Sequence, residues 1–209
     1  MKINKPWLNL KSPSQRKSVL RSLRERILII CEGEKTEPHY FKKFPVNSGK
    51  LEILVHGTGK NTISLVDEAI QRRDKAISDR KDYNQVWCVF DKDSFSDDHF
   101  NRAIDKAVKN KIRVAYSNEA FELWYLLHFI YLDTAISRKD YCIRLSEQMG
   151  VKYEKNAPDM YKRMKNMQIT AIRNAERLYA GYSSTVTFTK RNPSTTVHRL
   201  VEELNRFID

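Results

Sequence analysis

Acidic residues directly follow two apolar segments that have the length and composition of strands. Glu32 comes after residues 27–31, and Asp91 and Asp93 come after residues 86–90. Two aspartates separated by one residue in an extended segment point to the same side, where their like charges repel unless a cation lies between them. Mg²⁺ and Mn²⁺ prefer oxygen ligands and keep open positions for substrate phosphates. The spacing therefore predicts a magnesium or manganese site formed by Glu32, Asp91 and Asp93.

Three further acidic residues are candidates for the same site. Glu37 follows the first strand, and Glu119 and Glu122 follow a later one. A carboxylate in the first turn of a helix also complements the helix dipole, and this is the alternative for Glu37 and Glu119. Glu122 lies in a strongly apolar segment, where an unpaired carboxylate is costly. It therefore either pairs with a structural Arg or Lys or reaches the metal edge.

The elements that must position these residues alternate in type along the chain. Four short apolar segments have the character of strands, at residues 27–31, 51–55, 86–90 and 112–116. Segments with helical periodicity separate them. This order predicts an α/β fold, with a parallel sheet of about four strands and helices on both faces. Because the carboxyl ends of parallel strands meet at one edge, the acidic residues are expected to lie there together.

The pattern changes after Asn118, which is predicted to cap a helix. Residues 120–132 are apolar on nearly all sides, which predicts a buried helix with His128 as a core residue. Basic helical segments follow, and a last amphipathic helix ends near Phe207. The predicted organisation is a basic N-terminal arm (1–25), an α/β core (26–135) and a helical C-terminal extension (136–209) packed on the core.

The net charge of +12 is concentrated in two flanks of the chain. Residues 1–26 hold eight Lys or Arg and one acidic residue, and residues 152–191 hold nine and three. Basic flanks are typical of proteins that bind the phosphate backbone of nucleic acids, although a solubilising surface is the alternative. The candidate contacts near the acidic edge and in the late polar loop are Lys35, Lys60, Lys92, Lys190 and Arg191.

One glycine-containing segment resembles a phosphate-binding loop only in part. It is Gly-Thr-Gly-Lys at residues 57–60. Leu54 stands where the first glycine of such a loop is required, and Asn61 stands where Ser or Thr is required. We interpret the segment as a turn into a helix, with Lys60 still within reach of a phosphate.

The three cysteines and the apolar segments argue against a disulfide scaffold, a structural zinc module and a transmembrane protein. Cys31, Cys88 and Cys142 each lie beside apolar residues, which indicates buried thiols in a reducing compartment. No window approaches the length of about 20 apolar residues that a membrane span needs. No secretory signal is recognised at the N-terminus. A cytoplasmic location is expected.

The residues described above carry a resemblance to a known family. Ile-Cys-Glu-Gly-Glu-Lys-Thr-Glu (residues 30–37) and Phe-Asp-Lys-Asp (residues 90–93) resemble two motifs of Toprim domains. Together with Ser-Asn-Glu-Ala-Phe-Glu-Leu-Trp (117–124) and Asn-Pro-Ser-Thr-Thr-Val (192–197), they make the chain similar to the RloB family. The resemblance covers about residues 26 to 208 and implies a Toprim-like, Rossmann-like fold. The family includes abortive-infection toxins and is encoded beside ATPases in bacterial and archaeal defence and restriction loci.

The resemblance also implies roles for individual residues. Glu32 matches the Toprim glutamate, which is proposed to act as general base or acid beside the metal. Asp91 and Asp93 match the pair that holds Mg²⁺, and Glu37 matches a second acid of nuclease-type Toprim proteins. One position departs from the pattern, because Phe95 stands where many Toprim proteins have a third carboxylate. A second metal would need Glu37, Glu119 or Glu122.

The expected function is metal-dependent cleavage of DNA or RNA in anti-phage defence, with Glu32, Glu37, Asp91, Asp93 and Glu122 as catalytic residues. Three alternatives remain. The first is a module or toxin that binds nucleic acid without cutting it. The second is a subunit that is activated by, or acts through, a partner ATPase. The third is a nucleotidyl-transfer enzyme such as a primase, for which no second catalytic module is recognised.

Overall fold

The computed structural model describes residues 24–92 and 96–209. Asp93 and most of the predicted N-terminal arm lie outside the described residues. The five strands are β1 (Glu25–Cys31), β2 (Leu51–Gly57), β3 (Gln85–Asp91), β4 (Arg113–Asn118) and β5 (Ser194–Thr195). The α-helices are α1 (Thr36–Phe41), α2 (Thr62–Ser78), α3 (Asp97–Lys109), α4 (Glu122–Leu126), α5 (Arg138–Met149), α6 (Met160–Met164), α7 (Gln168–Ala180) and α8 (Val197–Asn205).

The strands form one sheet in the order β2-β1-β3-β4-β5. The first four strands are parallel, and β5 is antiparallel to β4. The predicted α/β class with a parallel sheet is confirmed, and the architecture is compatible with a Rossmann-like or Toprim-like fold. The chain runs from β1 outward to β2 and then crosses back over β1 to β3, so the strand order reverses between β1 and β3. In open α/β sheets, ligands bind at the carboxyl ends of the strands at such a point.

Alternate residues of the strands pack on opposite faces of the sheet. In β1, Leu28 and Ile30 face a core that α2 and α3 cover, with Leu65 and Phe100 among its members. Ile27, Ile29 and Cys31 face the other core. The helices that contribute to the first core are the crossover helices α2 and α3. The helices that contribute to the second core are α1 and α4 to α8. Helices therefore cover both faces, as predicted.

The predicted long helix over residues 120–132 is wrong in its extent. The helix is limited to Glu122–Leu126, although residues 120–128 are all buried. Asn174 Nδ2 donates a hydrogen bond to the carbonyl oxygen of Leu127 at 2.9 Å, which satisfies a carbonyl where the helix ends. The apolar residues on all sides thus reflect burial from every direction and not a long helix.

Two polar residues of this region have structural roles. Asn118 is the last residue of β4 and not a helix cap, and its Nδ2 donates to the carbonyl oxygen of Thr189 at 3.0 Å. His128 is 2% exposed and its Nδ1 lies 2.9 Å from the carbonyl oxygen of Trp124. Burial lowers the pKa of His128 to about 4, so the imidazole is neutral at pH 7. His128 is therefore a core residue, as its neighbours in the sequence indicate.

The C-terminal part completes the sheet and one of its cores. Strand β5 lies beside β4, and Val197, Leu200 and Leu204 of α8 are fully buried. All three cysteines are free thiols, with Cys31 and Cys88 buried. None of the helices in the described ranges has the length and apolar composition to cross a membrane.

Candidate active site

A cavity of about 400 Å³ lies at the carboxyl ends of β1 and β3, where the strand order reverses. We call it the acidic pocket. Its acidic lining residues are Glu32, Glu34, Glu37, Asp91 and Glu122, and its basic ones are Lys35, Arg138 and Lys155. The turn after β1, the end of β3, the start of α4 and the start of α5 thus supply charged side chains to one cavity. Four of the five predicted catalytic residues and one predicted nucleic-acid contact, Lys35, are brought together here.

Asp91 is held from three sides. Its backbone N–H donates to Glu32 Oε2 at 3.2 Å, and its Oδ2 accepts from the backbone N–H of Phe121 at 3.1 Å. The same Oδ2 lies 3.8 Å from Nη2 of Arg138. Its other oxygen, Oδ1, is buried and has no hydrogen-bond partner among the described residues. A buried carboxylate oxygen without a donor is unusual in folded proteins and indicates a place for a ligand or ion.

The electrostatic environment of Asp91 disfavours its charge. Burial raises the pKa of Asp91 well above its usual range. The carboxylates of Glu37, Glu122 and Glu32 raise it further, while Arg138 lowers it. A bound cation would reverse this balance, since an opposite charge close to a carboxylate favours its ionised form.

Glu37 reaches the pocket because Gly33 leaves room for its side chain. A Cβ atom at residue 33 would lie only 2.9 Å from the carboxylate carbon of Glu37, so a larger residue would displace it. Burial raises the pKa of Glu37, and its own backbone N–H and that of Gly33 oppose the shift. The spacing of Gly33 and Glu37 is thus explained by direct contact between the two residues.

Glu122 lies at the acidic edge. It is 6% exposed, and its Oε1 accepts a hydrogen bond from the hydroxyl of Tyr153 at 3.2 Å. It forms no ion pair with Arg or Lys of the described residues and lines the pocket beside Glu37 and Asp91. Of the two alternatives for Glu122, the structure favours the edge where the carboxylates converge and not an ion pair, with a tyrosine as its partner.

The carboxylates of the acidic pocket are candidate ligands for a metal ion. Within residues 24–92 and 96–209, no group of three or more His, Cys, Asp or Glu side chains is arranged to hold a metal. This part of the chain leaves out Asp93. The carboxylate oxygens of the lining and the unsatisfied Oδ1 of Asp91 fit a hard cation such as Mg²⁺ or Mn²⁺. The residues that would hold it are Asp91 and Glu32, with Asp93 as the predicted third.

Three of the five predicted nucleic-acid contacts lie near this edge. Lys35 lines the acidic pocket. Lys92 and Lys190 both form ion pairs with Asp97 at the N-terminus of α3. Their Nζ atoms lie 3.4 Å and 3.6 Å from its carboxylate oxygens. Residues far apart in the sequence therefore form one basic group beside the end of β3.

The other two predicted contacts have different surroundings. Lys60 forms an ion pair with Glu68 at 2.7 Å, and the N–H of Gly59 donates to the carbonyl oxygen of Glu32 at 2.9 Å. The loop therefore joins the ends of β1 and β2 and does not present free amides to a phosphate. Arg191 is 6% exposed, and its guanidinium donates to the carbonyl oxygen of Val186 at 3.0 Å. Its role is to hold the loop before β5, which corrects its prediction as a contact residue.

Sequence reasoning missed three residues of the pocket region, namely Arg138, Lys155 and Tyr153. Ser137 and Asp140 form a capping box that starts α5, and this spacing is visible in the sequence. It indicates a helix that begins at Arg138 but not the edge of the sheet that the helix meets. No local pattern marks Lys155 or Tyr153.

The fold and the pocket define a class: an α/β protein with buried carboxylates at the point of strand reversal in a parallel sheet. The family model described as RloB-like protein matches residues 27–204, and the chain belongs to this family. No curated protein and no solved structure matches the chain. The resemblance seen in the sequence is therefore confirmed at the level of the family.

Proposed function

We propose that the protein is a metal-dependent phosphodiesterase that cleaves nucleic acid. One observation carries the proposal: Asp91 presents a buried, unsatisfied carboxylate oxygen in a pocket that it shares with Glu32, Glu37 and Glu122. Such a cluster of like charges is expected to need a cation, and its oxygen ligands suit Mg²⁺ or Mn²⁺. Basic residues at the same edge supply attraction for the phosphate backbone.

The residues have distinct roles in the proposed mechanism. Asp91 and Asp93 would hold the cation, with Glu32 beside them. When bound, the cation neutralises charge on the phosphate oxygens and lowers the pKa of water at the site. Glu32, which lies against the end of β3, would either ligate the cation or act as the general base that takes the proton from water. Glu37 and Glu122 lie next to Asp91, and their carboxylates raise the pKa of Asp91.

The family suggests the biological setting of this activity. We infer a cytoplasmic role in bacterial or archaeal anti-phage defence or abortive infection, with an ATPase encoded nearby as a candidate partner. Contacts to phosphates carry no sequence information, so the protein is expected to bind nucleic acid with weak sequence preference and strong salt dependence.

The test is a cleavage assay of the purified chain on plasmid DNA and on total tRNA with Mg²⁺, Mn²⁺ or EDTA. Asp91→Asn and Glu32→Gln are expected to lower the rate by at least about 100-fold, because a metal ligand or a general base is lost. Asp105→Asn, on an exposed position of α3, is the matched control and should keep the wild-type rate. Cleavage by the Asp91→Asn protein at the wild-type rate would rule out this mechanism.

A second candidate is a subunit that binds nucleic acid without cutting it. It is favoured by the lack of three metal-binding side chains that converge in the described ranges. This alternative predicts no cleavage with either metal, and salt-sensitive binding that Asp91→Asn leaves intact. Addition of the partner ATPase then distinguishes a permanently inactive protein from one that requires activation.

A further inference from the structure

Two basic residues of the C-terminal part face the acidic pocket, and neither was expected from the sequence. Arg138 and Lys155 both line the cavity, in which the carboxylates come from the segments that follow β1, β3 and β4. A phosphodiester group is itself negative, so it would be repelled by this cavity unless cations accompany it. The positions of the two basic residues therefore decide whether the pocket accepts a phosphate.

Arg138 is fixed at the first position of α5. The capping box of Ser137 and Asp140 closes the helix start, with Asp140 N donating to Ser137 Oγ at 3.2 Å. The guanidinium lies 3.8 Å from Asp91 Oδ2, and it donates to the carbonyl oxygen of Glu119 at 3.4 Å. An arginine has five N–H donors in a planar fork that matches a phosphate. Arg138 thus lies beside Asp91, at the proposed cation site.

Lys155 is held through the residues on either side of it. Tyr153 is buried and bonds to Glu122. Asn156 accepts a hydrogen bond from the hydroxyl of Thr36 at 2.7 Å, and its carbonyl oxygen lies 3.1 Å from His39 Nδ1. These contacts tie the loop to the opposite wall of the pocket.

The side chain of Lys155 remains exposed although its backbone is fixed. It forms no ion pair within 4 Å with a described residue, unlike Lys152, whose Nζ lies 3.0 Å from Glu154. Its ammonium is close enough to Glu37 to lower the pKa of that carboxyl. Lys155 is therefore a cation at the pocket that no short ion pair with a residue of 24–92 or 96–209 neutralises.

We propose that Arg138 and Lys155 bind the phosphodiester group of a nucleic acid at the acidic pocket. The proposal rests on the proposed function and names the residues that hold the substrate there. The two cations come from the start of α5 and from the loop before α6, so the C-terminal part adds basic residues to carboxylates that lie at the end of β3 and in the segments after β1 and β4. Lys35 completes the basic lining from the turn after β1.

The test measures binding of short labelled single-stranded RNA and DNA to the full chain in EDTA, by fluorescence anisotropy over a range of salt concentrations. Lys155→Ala and Arg138→Ala are expected to weaken binding by about ten-fold each, as a lost charge-assisted hydrogen bond does. Each variant should also lower the slope of log affinity against log salt concentration by about one, because one counterion fewer is released on binding. The matched controls are the exposed neighbours Lys152→Ala and Lys139→Ala, which should change affinity less than about two-fold.

Equal losses in the pocket variants and in the controls would overturn the proposal, because net charge alone would then explain binding. Melting temperatures are measured for all variants, and the exposed Lys155 decides the result if Arg138→Ala fails to fold. The two proposals fail separately. Cleavage that depends on Asp91 without a selective loss in the Lys155→Ala protein refutes the phosphate site alone. A selective loss of binding without any metal-dependent cleavage, with or without the partner ATPase, supports the phosphate site and refutes the nuclease.

Discussion

Asp91 lies in an environment that works against its own charge. Its carboxylate is surrounded by Glu32, Glu37 and Glu122, and burial removes most of the water that would otherwise solvate it. Interactions with Phe121 N–H and Arg138 offset only part of this cost. An arrangement that reduces stability in the absence of a ligand is typical of a functional site.

We predict that Asp91→Asn stabilises the protein in EDTA. The native pKa of Asp91 is raised, so the folded protein binds the proton more tightly than the unfolded chain does. Stability of the wild type therefore falls as pH rises from the ordinary pKa of 3.8 through the raised native value. The variant avoids this loss, so its melting temperature should exceed that of the wild type at neutral pH. The difference should shrink as the pH is lowered towards 4.

Thermal unfolding over a series of pH values measures this effect, with Asp105→Asn as the exposed control. Mg²⁺ or Mn²⁺ should raise the melting temperature of the wild type more than that of Asp91→Asn, since a ligand of the folded state is lost. A variant less stable than the wild type at neutral pH would show that the contacts with Phe121 and Arg138 outweigh the repulsion.

At the scale of single residues, the sequence was informative where function depends on local spacing. Glu32 and Asp91 follow adjacent strands, and the structure brings Glu32 Oε2 to 3.2 Å from the N–H of Asp91. Arg191 was misjudged because its burial depends on a loop whose carbonyl groups lie close only after folding. Lys155 was missed because its position depends on contacts with α1, which is distant in the sequence.

Among the elements, α5 links stability to the pocket, because its first residue is Arg138. Ser137→Ala removes the side-chain half of the capping box and is expected to lower the free energy of unfolding by about 1 kcal/mol. The same change should weaken nucleic-acid binding, since the start of the helix positions the guanidinium. Urea unfolding and anisotropy measure the two effects. Ser137→Thr should restore both, and an unchanged stability in Ser137→Ala would contradict the role of the cap.

Regular elements were predicted where the apolar pattern is clear, as in β1 to β4 and in the helical segments between them. Ser96 and Asn61 accept hydrogen bonds from backbone N–H groups at the starts of α3 and α2, which fixes where these helices begin. Strand β5 was not predicted, because two residues are too few for a periodic pattern. It forms where Ser194 and Thr195 pair with Asn118 and Ser117 of β4.

The described residues form two hydrophobic cores, and one of them crosses the predicted boundary at residue 135. Its members are spread along the chain from Ile27 to Phe207, and they cover one face of the sheet. A fragment of residues 26–135 would expose that face. We therefore predict that it does not fold to a stable state, because a large part of its buried apolar surface is lost.

Circular dichroism and thermal unfolding of the fragment test this prediction. A chain of residues 24–209 is the matched control, because it holds all described members of both cores. The control should unfold cooperatively. A cooperative transition in the 26–135 fragment would show that the α/β core is an independent domain.

The order of the elements along the chain has a consequence for biosynthesis. Strands β1 to β4 leave the ribosome before α5 to α8, which cover one face of the sheet and supply Arg138 and Lys155. Domains complete their folding as units, so a nascent chain that ends shortly after β4 lacks most of the second core as well as Arg138 and Lys155 at the pocket. For a protein proposed to cut nucleic acid, this order postpones a finished site until most of the chain has been translated.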